Sequence, residues 1–105
     1  MNNQFGLYEH SYVLLCDALK LFPEIEQAWI FGSRALGNYK KGSDIDLAIS
    51  GQNINFDTVT ALYGTLNEEI SIPYMVDVVD INNIENPLLK EHIEQKGVLF
   101  YSRGV

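Results

Sequence analysis

Two aspartates, Asp44 and Asp46, flank a single isoleucine at the head of the run DIDLAIS, residues 44–50. Residues two apart on a strand project from one face, roughly 6–7 Å apart along the backbone. Both carboxylates then face away from Ile45, Leu47 and Ile49. Carboxylates that close repel and resist joint ionisation unless a cation lies between them. Mg²⁺ is such a cation: it takes oxygen ligands and is typically held by one or two carboxylates together with substrate phosphates. Asp77, in the middle of MVDVVD, reaches the same place if its strand lies close in the sheet. Three carboxylates on one open face would form a two-metal site, where the attacking and leaving oxygens of a phosphoryl displacement are both stabilised.

Gly32 and Ser33 end an earlier apolar segment. Glycine lets a phosphate approach the backbone, and the serine adds a hydroxyl and an amide at the start of a turn or short helix. Arg34, Lys40 and Lys41 follow in the same loop and could neutralise a triphosphate, although a salt bridge for Arg34 and a solvated pair for the lysines fit as well. The plain alternatives for the aspartates are turn residues at Asp44 and Asp46 and an edge-strand charge at Asp77. His10 and His92 sit on helical patterns without a ligand partner at helical spacing, which reads as surface or partly buried histidine. Ser33 has no neighbours suited to a nucleophilic triad. Cys16, the single cysteine, reads as a packed core thiol.

The elements that must carry these groups follow from periodicity. Leu7, Val13, Leu14, Ala18, Leu19, Leu21 and Phe22 recur at helical spacing up to Pro23, which predicts an amphipathic helix ending before the proline. Residues 28–31 read as a short buried strand closed by Gly32. A polar loop leads to the alternating strand 44–50. Asn55 or Asp57 caps a helix to about Ile70, with Gly64 an uneasy residue in its middle. After Pro73 comes a strand with Val76 and Val78 on one side and Met75, Asp77 and Val79 on the other. Asn86 and Pro87 start a last helix, Gly97 stops it, and VLFY forms a short strand or docked segment. This order predicts an α/β (α+β) fold: a small mixed sheet with helices packed mainly on one face.

A chain of 105 residues, 47% apolar, suits a single domain over 1–105. Seven basic against fourteen acidic residues leave a formal charge of −7, which provides no positive field for a nucleic-acid backbone. Direct nucleic-acid binding is therefore not expected. A basic partner, or metal ions bridging to an anion, fits better. The start lacks a basic region followed by an apolar one, and no run is long enough to span a membrane, so a soluble, cytoplasmic protein is expected.

Gly32-Ser33, ten intervening residues and Asp44-Ile45-Asp46 resemble the signature of the DNA polymerase β-like nucleotidyltransferase superfamily. The short chain, GSDIDLAIS, MVDVVD and EQKGVLFY resemble its minimal nucleotidyltransferase (MNT) branch, and the resemblance covers nearly the whole chain. It implies a palm-like fold and transfer of a nucleoside monophosphate from an NTP, with ATP as donor, to a hydroxyl. It also implies that Gly32, Ser33 and Arg34 bind the nucleotide, that Asp44 and Asp46 hold two Mg²⁺, and that Asp77 ligates the catalytic ion and assists deprotonation. Leu36 stands where many relatives carry a basic residue. Relatives of this branch pair with HEPN-domain toxins and act as antitoxins by attaching AMP to a tyrosine. The alternatives are a binding module that neutralises its partner by contact, a small-molecule enzyme of the aminoglycoside type, and a polynucleotide polymerase, which the charge disfavours.

Overall fold

A computed structural model describes residues 3–103. Helix α1 (Glu9–Lys20) carries Glu9 in its first turn and Lys20 in its last, the polarity that the helix dipole favours. It buries Leu15, Ala18 and Leu19. Val13 and Leu21, counted above on the apolar face, are exposed. Leu7 is buried but precedes the helix. Strand β1 (Gln27–Phe31) runs into a one-turn helix, α2 (Ser33–Leu36), and then a loop to strand β2 (Ile45–Ser50).

Helix α3 (Phe56–Gly64) starts at Asn55, whose side chain accepts from the Thr58 amide, while the Thr58 hydroxyl accepts from the Asn55 amide. That reciprocal box satisfies two helix-end donors. Gly64 does not interrupt the helix. Beyond it the coil widens into a π turn, Thr65–Glu69, where a regular helix to Ile70 was expected. Its Asn67 donates to the Val76 carbonyl at 2.9 Å and accepts from the Val76 amide at 2.8 Å. A side chain thus completes the backbone pairing at the head of strand β3 (Val76–Asp80). A short 3-10 turn (Ile81–Asn83) follows, opened by Asp80, which accepts from the Asn82 amide. Helix α4 (Pro87–Lys96) has Asn86 as its cap and Gly97 at its end, and strand β4 (Val98–Ser102) closes the chain.

The sheet order is β3-β2-β1-β4. β1 is antiparallel to both neighbours, whereas β2 and β3 are parallel, joined by α3 as parallel strands require. Ile30, Ile45, Leu47, Ile49 and Val76 turn one face toward the main core, where Leu15, Leu19, Leu62 and Leu66 meet them. The expectation of helices mainly on one face holds for α1 and α3. α4 crosses the other face, packing Ile93 on Phe31 and Ala48, and leaves Asp44 and Asp77 exposed. No helix among the described residues is long and apolar enough to cross a membrane.

Candidate active site

The parallel register sets Asp46 directly beside Asp77, and adjacent strands lie about 4.8 Å apart. Asp44, just ahead of β2, lies near enough for its charge to act on Asp46. Asp44 and Asp77 are exposed and Asp46 is half-buried. Burial, then the negative charges of Asp77 and Asp44, push the Asp46 carboxyl above its ordinary value. The sequence thus brings three acids close together, and the charges of Asp77 and Asp44 add to burial in disfavouring ionisation of Asp46. Among the described residues no three acidic, histidine or cysteine side chains converge closely enough to hold a metal as they stand. Hard oxygen donors of this kind suit Mg²⁺.

Gly32 ends β1 next to these acids. Its φ of 73° and ψ of −152° lie in a region essentially restricted to glycine. A Cβ there would collide with the Asp46 carboxylate. Ser33 follows, half-buried, at the first position of α2. Phe31 is the cross-strand partner of Asp46, so β1 delivers Gly32-Ser33 to the same place that β2 delivers its carboxylates. The structure brings Gly32, Asp46 and Asp77 together, with Asp44 near enough for its charge to act on Asp46 and Ser33 next to Gly32 in the chain.

Arg34 is the exception and corrects the expectation that it faces a nucleotide. It is 1% exposed, and every nitrogen of its guanidinium donates to main-chain carbonyls: Nε to Ser43 at 3.1 Å, Nη1 to Phe5 at 3.0 Å and Gly6 at 3.3 Å, Nη2 to Ser43 at 2.8 Å and Lys41 at 3.4 Å. Tyr39 and Tyr74 flank it at 5.0 and 4.8 Å from their ring centroids. A guanidinium with its donors already engaged has none left for phosphate. Its work is to tie the N-terminal segment, the 37–44 loop and the approach to β3 into one unit behind the acids. Lys40 and Lys41 are exposed loop residues.

His92 is the residue that sequence reading missed. Its Nε2 accepts from the Gly32 amide at 3.0 Å, and its ring meets Phe31 edge-on at 6.0 Å. Helical spacing on α4 says nothing of a partner sixty residues away, so no signal in the sequence could have found it. Two concavities, of about 720 and 510 Å³, lie elsewhere, one between the starts of α3 and α4 and one among Tyr8, Tyr39 and Tyr74. Neither is lined by the three aspartates.

Comparison with known proteins follows the same lines. The family model "Polymerase beta, Nucleotidyltransferase" matches residues 15–104. The crystal structure of a toxin-antitoxin with AMP-PNP superposes at a TM-score of 0.68 and 22% identity, over 91% of this chain and 74% of that one. The toxin-antitoxin MntA-HepT superposes at 0.66 and 18%, over 90% and 73%. A tri-AMPylated Shewanella oneidensis HEPN toxin in complex with MNT antitoxin gives 0.61 and 18%, over 88% and 72%. At these identities the likeness is one of fold. No curated protein matches the sequence.

Proposed function

The chain belongs to the polymerase beta nucleotidyltransferase family, and from that premise we propose that it transfers AMP from ATP to a tyrosine hydroxyl of a HEPN-type toxin, acting as the antitoxin. One observation carries the reading. Asp46 and Asp77 stand in register with Asp44 alongside, and Gly32-Ser33 abuts Asp46 so closely that a side chain at position 32 would strike it. Phosphate and metal ligands are then neighbours, as in-line phosphoryl displacement requires. The raised carboxyl of Asp46 marks a site where a cation would relieve repulsion.

Asp44, Asp46 and Asp77 would hold Mg²⁺. The bound ions supply charge stabilisation for the attacking and leaving oxygens. The Ser33 hydroxyl and amide orient the triphosphate, and Gly32 lets it approach the backbone. The acceptor oxygen attacks the α-phosphorus, a new phosphorus–oxygen bond forms, the bond to the bridging oxygen breaks, and pyrophosphate leaves. Asp77 would receive the acceptor's proton. Asp44 and Asp77 are exposed, which leaves the acceptor side open for the partner to complete. The three superposed toxin-antitoxin complexes support that choice of partner.

Labelled ATP, Mg²⁺ and a candidate HEPN-type partner test the proposal: the partner becomes labelled, and the paired Asp44→Ala and Asp46→Ala substitutions abolish labelling. Undiminished labelling by the double variant sinks the mechanism. A second reading, neutralisation by contact alone, draws on the absence of converged ligands among the described residues. It predicts that the double variant rescues growth as well as the parent.

A further inference from the structure

We infer that His92 is a positioning residue, which through its bond to the Gly32 amide sets the distance between the phosphate-binding turn and the Asp46 carboxylate. Three observations meet at this point. The Gly32 amide is held by His92 Nε2 at 3.0 Å, so Gly32 is anchored to α4. The Gly32 backbone, at φ 73°, lies so close to Asp46 that a methyl group there would have to displace its carboxylate. Phe31 precedes Gly32, pairs with Asp46 across the sheet and meets the His92 ring edge-on, which fixes the plane of the imidazole. Because Nε2 accepts, the proton of the neutral ring sits on Nδ1. Loss of the acceptor would free an amide that α2 cannot satisfy, since the bond partner lies in another element. Gly32-Ser33 would then rock about β1 relative to Asp46. A displacement of about 1 Å at such a site can cost on the order of 10²-fold in rate.

The inference rests on the proposed AMP transfer only for its kinetic arm, and the first arm needs neither activity nor a variant. A trans-hydrogen-bond nitrogen–nitrogen coupling between the Gly32 amide and His92 Nε2 is expected in the unsubstituted chain, and its absence overturns the inference. In His92→Phe, which keeps a ring against Phe31 but no acceptor, the Gly32 amide exchanges with solvent faster. Transfer kcat per folded molecule falls about 10–100-fold, with a much smaller change in KM for ATP. His92→Gln returns an acceptor and recovers most of kcat. Equal losses in both variants would mean that packing and not the bond matters. An unchanged kcat in His92→Phe would overturn the inference as well. If the unsubstituted chain labels no partner, the proposed function fails, while the coupling and the amide exchange still decide the role of His92.

Discussion

Asp46→Asn should make the metal-free protein more stable at neutral pH. The substitution keeps the shape of a half-buried side chain and removes the charge that Asp77 and Asp44 oppose. Two unit charges one strand spacing apart, about 4.8 Å, interact by about 0.9 kcal/mol at the dielectric of water. Asp44 adds a smaller repulsion, burial adds to the penalty, and salt screening removes part of it. A net gain of about 1 kcal/mol follows, or about 4–8 °C in Tm for a domain near this size. The pH dependence has a definite sign. A carboxyl raised in the folded state destabilises it fully above the raised value, and the penalty vanishes as pH falls through that value toward the ordinary 3.8. The gain in Asp46→Asn should therefore be full at neutral pH and fade on acidification. Thermal melts in chelator across pH measure it. Adding Mg²⁺ should stabilise the parent chain and do much less for the variant. A variant that melts lower than the parent in chelator, or that responds equally to Mg²⁺, refutes the picture of a repulsive cluster awaiting a cation.

Gly32→Ala forces a methyl into Asp46 at a positive φ, so urea denaturation should show a loss of about 1–2 kcal/mol or more; a neutral result contradicts the packing described. Arg34→Lys replaces a planar fork by a single ammonium and strands several main-chain carbonyls, those of Phe5 and Gly6 among them buried, which should cost about 2–3 kcal/mol. The folded fraction should keep its affinity for ATP, and a selective loss of that affinity would restore Arg34 to the nucleotide. Asn67→Ala removes both bonds to Val76. A cost of about 1–3 kcal/mol and faster amide exchange at the head of β3 are expected, and unchanged exchange at Val76 would rule it out.

Much of this was readable from local pattern. The alternation in 44–50 put Ile45, Leu47 and Ile49 in the core and Asp46 on the other face, because side-chain direction on a strand has period two. Asn55, Asn86 and Gly97 marked helix ends by chemistry that acts within a few residues. The π turn was not legible, and neither was the bond that its Asn67 makes to Val76 in another element. Arg34 shows the same boundary from the other side. Its type and place in the chain suit a phosphate, but the carbonyls of Phe5, Gly6, Lys41 and Ser43 converge on it only after folding. His92 gains a role because α4 returns across Phe31. Residues whose work is set by neighbours in the next few positions could be read; those set by tertiary closure could not.

The most direct test of AMP transfer is the intact mass of the HEPN-type partner after co-expression with this chain, followed by peptide mapping of any modified residue. AMP transfer should give one or more AMP additions on tyrosine with the unsubstituted chain and none with the Asp44→Ala, Asp46→Ala variant. A partner of unmodified mass that is nonetheless neutralised would contradict it.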